Sequence, residues 1–184
     1  PEAAFGIMFN QRTNPAYQKI REIVQSGELG ELKRCVWIIT DWYRTQAYYN
    51  SGSWRATWGG EGGGTLLNQN PHQLDLWQWL FGMPEKIMSH CSFGKYYNIE
   101  VEDDVTAYVE YANGATGSFN MIGGAMRSQR SIHIIGTEGE LTGIFEDSRY
   151  VIRKSAPEAE YGYVEKEYDL NVQGDMIGQR GGHG

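Results

Sequence analysis

Gly62-Gly63-Gly64-Thr65-Leu66-Leu67-Asn68-Gln69-Asn70-Pro71-His72-Gln73-Leu74-Asp75-Leu76-Trp77-Gln78-Trp79-Leu80 is a glycine triplet running into an amphipathic segment. At helical spacing Asn68, His72, Asp75 and Trp79 share one stripe, while Leu67, Leu74, Trp77 and Phe81 form the neighbouring apolar one. Pro71 falls inside this pattern and predicts a kink where the polar stripe lies. Gly82 and Pro84 end the helix. A histidine on a rigid element beside an amide and a carboxylate is either a satisfied interior residue or a proton-transfer group.

Before this helix, residues 5–9 read as a short strand and Asn14-Pro15 as a helix start, with the amide as N-cap and proline in the first turn. Tyr17, Ile20, Ile23 and Val24 keep helical period until Gly27 and Gly30 stop it. Residues 32–43 read as a long strand. After residue 85 the pattern alternates. Val105, Ala107, Val109 and Tyr111 lead to Asn113-Gly114, a two-residue hairpin signal, which places Thr116, Ser118, Asn120 and Ile122 on the same face. Further strands are expected at 132–135, 141–145, 149–153 and 161–168. The result is an α+β domain, an open and mostly antiparallel sheet with helices on one face.

Composition narrows the function. The chain has 184 residues, 40% of them hydrophobic and 21% charged, as in a globular protein. A net charge of −7 argues against nucleic acid. No apolar run approaches the roughly 18 residues that would span a bilayer, so neither nucleic acid nor membrane is expected as a partner. Cys35 and Cys91 lie in strand-like runs, without metal-ligand or disulfide-scaffold spacing, and a cytoplasmic location is the simplest reading. The chain begins within a strand pattern and ends in a glycine-rich stretch containing His183; both suggest a piece of a longer protein.

Several local features have two readings. Trp37, Trp42, Tyr43, Tyr48, Tyr49, Trp54 and Trp58 form either a thick aromatic core or a surface that stacks on a sugar-like ligand. Arg12, Arg44 and Arg55 either clamp an anionic or polyhydroxyl ligand or balance acidic surface. Glu100, Glu102, Asp103 and Asp104 read as a solvated turn that blunts a sheet edge. His72 with Asp75 lacks a third ligand, so no metal is expected; His90 and His133 read as strand residues. Residues 59–64 carry no dinucleotide or phosphate-loop pattern, and their glycines read as places of close backbone approach.

The helix stretch resembles the G-G-G-x-L-x-D-x-x-x-H-x-x-D-x-x-x-x-L-x-G-x-P signature of the Gfo/Idh/MocA oxidoreductases. Asn10 to Pro15, Ser26-Gly27-Glu28-Leu29-Gly30, Trp54-Arg55 and Gly136-Thr137-Glu138-Gly139 resemble other family motifs in the same order. The resemblance implies that residues 1–184 are the C-terminal substrate-binding and oligomerisation domain of a two-domain enzyme. An N-terminal Rossmann domain would bind NAD or NADP and supply a catalytic lysine, and the sheet would form a homo-oligomer interface. The implied reaction is hydride transfer between the CH–OH carbon of a sugar or polyol and the nicotinamide, with the isolated fragment inactive. His72 matches the family's acid/base histidine. Asn68 stands where many members have aspartate; it would orient the ring and bond the substrate, leaving His72 less basic. Arg12, Tyr43, Arg44 and Trp54 are the expected substrate contacts and Arg55 the cofactor contact. The competing readings are a stand-alone carbohydrate-binding module and a non-catalytic oligomerisation domain.

Overall fold

The computed structural model describes residues 3–40, 43–126, 129–144 and 149–169. Trp42, Phe145 and His183, with the glycine-rich tail, lie outside the described residues.

Helix α1 (Pro15–Gln25) begins as its sequence dictates: the Asn14 side chain accepts from the Ala16 N–H and Pro15 occupies the first turn. Tyr17, Ile20 and Ile23 point inward, and burial of each isoleucine contributes about 1.5–3 kcal/mol. Gly27 and Gly30 both take left-handed φ at the turn that follows. Among the described residues the other α-helices are a one-turn helix, α2 (Gln46–Tyr49), and α3 (Pro71–Phe81).

Among the described residues eight strands form one sheet: β1 (Leu32–Ile39), β2 (Lys86–Phe93), β3 (Glu102–Glu110), β4 (Thr116–Ile122), β5 (Arg130–Gly136), β6 (Gly139–Ile144), β7 (Arg149–Ser155) and β8 (Tyr163–Asp169). Their order is β2-β3-β4-β1-β5-β6-β7-β8. Among these strands β1 with β4 is the one parallel pair, and the other neighbouring pairs are antiparallel. The expected open, mostly antiparallel sheet is therefore present.

Cross-strand register sorts the two faces. Val109, Gly117, Cys35, Ile134, Leu141 and Ile152 lie opposite one another in turn and join the core with α1 and α3. Trp37 is fully buried there, stacked on Trp77 and edge-on to Phe119. The next row along, Tyr108, Ser118, Val36, His133, Thr142 and Val151, faces the other way.

Four expectations are corrected. Residues 5–9 form no strand, and Phe5, Ile7 and Met8 are exposed. The neighbours of β1 are already β4 and β5, so the central strand offers this run no free backbone edge. Strand β1 ends at Ile39, where its pairing with β5 ends, rather than continuing to 43. The β3–β4 hairpin closes with Tyr111 N–H donating to the Ala115 carbonyl, which leaves a three-residue loop, Ala112-Asn113-Gly114. That extra residue reverses the facing of β4: Phe119 and Met121 lie opposite Ala107 and Val105, while Ser118 and Asn120 face outward.

The acidic cluster is the fourth correction. Glu102 and Asp103 are buried. Glu102 accepts from the N–H groups of Gly64 and Leu66 at 2.9 and 3.0 Å. Asp103 accepts from Lys95, Tyr96 and Tyr97 N–H. These carboxylates replace missing backbone partners in two tight turns rather than solvating an edge.

Candidate functional site

The glycine triplet and the helix after it are two elements with a break between them. Residues Thr65–Gln69 form a π-helical turn, and α3 starts at Pro71. Proline, lacking an N–H, takes the first helical position, where no intrahelical donor is needed. It starts a helix here rather than kinking one. Asn68 is consequently not on the α-helical stripe of His72, and Leu67 and Leu74 are exposed instead of forming the apolar seam. Leu76, Trp77 and Leu80 fill that role.

The turn is fixed from below. Besides its two backbone bonds, Glu102 offers its carbonyl to the Thr65 hydroxyl at 2.9 Å. A Cβ on Gly64 would meet the Glu102 carbonyl oxygen at 2.1 Å, so glycine is required where the chain crosses β3.

His72, Asp75 and Trp79 do share a flank of α3. The half-buried His72 ring meets Phe9 edge-on with centroids 5.7 Å apart. Its Nδ1 is buried and has no hydrogen-bond partner among the described residues. Asp75 accepts from Arg12 Nε and Nη2 at 2.7 and 2.5 Å. Its hydrogen bonds to Asp75 raise the Arg12 pKa further above its ordinary value. Arg12 and Arg21 both lie over the Trp79 ring, at 5.9 and 4.5 Å, and Arg21 also donates to the Trp79 carbonyl.

A second group surrounds Asn68. Its Nδ2 donates to Glu61 Oε1 at 2.7 Å, and Glu61 Oε2 accepts from the Ala56 N–H at 2.7 Å. Ala56 is buried and has φ of +50°, a left-handed conformation that costs a non-glycine residue on the order of 1 kcal/mol. Asn68, Glu61, Ala56, Tyr49 and Gln69 line a small pocket. Burial pushes the Tyr49 hydroxyl up to about 12.

The Arg55 guanidinium lies over both the Tyr48 and Trp54 rings, 4.5 Å from each, and donates to the Tyr48 hydroxyl at 2.9 Å. The Arg44 guanidinium lies 5.3 Å from the same Tyr48 ring. Tyr43 and Trp54 remain exposed, as does Trp58, which packs on Phe93 at 6.0 Å. The aromatic run thus divides: the core reading holds for Trp37 and Tyr49, while Tyr43, Trp54 and Trp58 lie at the surface.

Of the sequence-predicted residues, His72 and Arg12 flank one end of α3, and Trp54, Arg55, Arg44 and Asn68 belong to the loop side. Glu61 is not singled out by the sequence pattern, and Glu102 reads there only as part of a solvated turn. Their signal was a carboxylate at position 61, amid glycines and seven residues before Asn68, and one at the start of a strand.

Comparison with known proteins agrees with this architecture. Residues 17–142 match the model of the GFO/IDH/MocA C-terminal domain. Trans-1,2-dihydrobenzene-1,2-diol dehydrogenase of Bos taurus is 28% identical over 127 residues, which are 68% of this chain and 35% of that protein. The crystal structure of the WlbA dehydrogenase from Chromobacterium violaceum, in complex with NADH and UDP-GlcNAcA, is 31% identical with a TM-score of 0.68, covering 73% of this chain and 39% of that one. Levoglucosan dehydrogenase in complex with NADH and levoglucosan shares the fold at 20% identity, with a TM-score of 0.74 over 88% of this chain and 46% of its own. The chain spans less than half the length of these relatives. It belongs to the GFO/IDH/MocA family, and what it carries is that family's C-terminal domain.

Proposed function

We propose that residues 1–184 are the substrate-side domain of a cytoplasmic two-domain NAD- or NADP-dependent oxidoreductase acting on the CH–OH group of a sugar, polyol or sugar derivative. The observation that carries this reading is His72, a half-buried ring on a rigid helix whose Nδ1 is buried without a partner. Of the buried polar atoms without a partner among the described residues, this is the one on an imidazole, a group that exchanges a proton near neutral pH. Oxidation of an alcohol removes a hydride from carbon and a proton from oxygen, and an imidazole can take the proton. The nicotinamide, held mainly by an N-terminal Rossmann half, supplies the hydride acceptor. Arg55 suits the dinucleotide side: its guanidinium stacks on two rings and has no ion pair among the described residues. Asn68, Tyr43, Arg44 and Trp54 would line the substrate side, with Arg12 acting from behind through Asp75. The ligands of the WlbA relatives, NADH and UDP-GlcNAcA, support a sugar substrate and a nicotinamide cofactor.

The test is nicotinamide reduction by the full-length protein against a panel of sugars, polyols and nucleotide sugars, with NAD and NADP in parallel. Turnover is expected from the wild type, none from the isolated 184-residue chain, and a fall in kcat of about 10²–10⁴ in His72→Ala. A His72→Ala variant with undiminished kcat would overturn the assignment. The half-exposed Trp54 keeps one other reading open, a carbohydrate-binding module. Sugar binding by the isolated chain, lost in Trp54→Ala and without nicotinamide chemistry in the full-length protein, would establish it.

A further inference from the structure

Asn68 owes its orientation to Glu61. A carboxylate carries no hydrogen, so the side of the Asn68 amide that faces Glu61 at 2.7 Å must be the NH₂. The amide oxygen is then the group turned away from Glu61, and with two lone pairs it can accept one donor besides Gln69. Among the described residues its donor is Gln69 Nε2, at 3.2 Å, and Asn68 is exposed in the wall of the small pocket. The other oxygen of Glu61 is held by the N–H of Ala56, directly after Arg55 and in a left-handed conformation. One carboxylate therefore ties the strained Trp54-Arg55-Ala56 loop to the π-helical turn.

We infer that Glu61 is a positioning residue that locks Asn68 with its amide oxygen toward the substrate, so that position 68 acts as a neutral acceptor for a substrate hydroxyl. The substrate part of this inference rests on the oxidoreductase reading; the Glu61–Asn68 pairing does not. The pairing suits asparagine, rather than the aspartate of the family signature, at position 68. An aspartate at 68 would set two carboxylates at hydrogen-bond distance, where both cannot stay ionised at neutral pH without a large penalty. Asparagine and Glu61 are matched, with donor inside and acceptor outside.

The matching predicts how the pair can be exchanged. In Glu61→Gln the new NH₂ faces the NH₂ of Asn68, and the Asn68 amide must flip, presenting a donor where the acceptor stood. In Asn68→Asp the two carboxylates repel. In the double variant the introduced glutamine accepts from the Ala56 N–H and donates to the introduced aspartate, so an acceptor faces outward again. The experiment measures thermal midpoints from about pH 4 to 8, spanning carboxylate and histidine titration, with kcat and KM over the same range. It compares wild type, both single variants and the double variant of the full-length protein. Glu61→Gln should raise KM about tenfold, the value of one hydrogen bond. Asn68→Asp should lower the midpoint above the carboxylate range, recover it toward about pH 4, and add a limb to the pH profile of kcat/KM. The double variant should regain both midpoint and KM. Single-variant effects that merely add in the double variant would overturn the pairing. Rescue of the midpoint in a protein that turns over no substrate would uphold the pairing and overturn the oxidoreductase reading instead. Rescue of the midpoint without rescue of KM would overturn the acceptor role.

Discussion

His72 and Asp75 sit three residues apart on one flank of α3, and the buried polar group of Asp75 is paired while that of His72 has no partner among the described residues. Asp75, with a side chain only 6% exposed, is satisfied by the two-pronged guanidinium of Arg12. That pair ties the turn containing Arg12, and with it Phe9, to the helix that carries His72. Arg12→Ala should cost about 1–3 kcal/mol in urea unfolding, less than a fully buried pair because Arg12 is 42% exposed. Arg12→Lys should recover only part of it, since an ammonium cannot make two parallel bonds. Sequence reasoning names Arg12 and Asp75 but cannot pair them. They are 63 residues apart, and spacing carries information only within an element.

Within elements the sequence is legible wherever the controlling group is local. The α1 start and the glycine that ends α3 are read directly because each is set by neighbouring backbone needs. The hairpin register is not, since one extra loop residue reverses every facing and Asn113-Gly114 fits either loop length. The π-helical turn is hidden for a different reason: its partner is a carboxylate on β3. Carboxylates also link strands. Glu140 on β6 meets His133 on β5 at 3.0 Å and Arg153 on β7 at 3.2 Å. Burial alone would raise its pKa, but the hydrogen bonds from His133 and Arg153 outweigh this and hold it below the ordinary value. The stabilisation is therefore complete above the unfolded carboxylate range and disappears as pH falls through the lower folded value. Glu140→Gln should lower the thermal midpoint at about pH 7 by the equivalent of about 0.5–1 kcal/mol. The gap should close below about pH 4.

At the scale of the molecule, the sheet has one face covered by helices and one that carries Tyr108, Val36, Ile135 and Val151 among polar neighbours. Its general form is readable from alternation, but strand order is not, because β1 finds its partners far along the chain. We propose that the homo-oligomer implied by the family resemblance uses the uncovered face. Val36, on the central strand, is the position to test: Val36→Glu should reduce the assembly mass of the full-length protein in light scattering while leaving its far-ultraviolet circular dichroism unchanged. An unchanged mass would remove this face from the assembly.

The placement of β1 has a consequence in time as well as in space. Arg34 on this strand lies 82 residues from Thr116, its neighbour on β4, and the β5 partners come later still. On a ribosome, the central strand emerges long before either neighbour exists. Its apolar residues, Trp37 among them, must wait in an unpartnered state while the β2–β3–β4 meander is made. Closure of so long a segment is entropically slow. Nascent chains stalled before Thr116 should therefore be the species most dependent on chaperones, because β4 and β5, made only midway through the sheet, are the strands that close around the first.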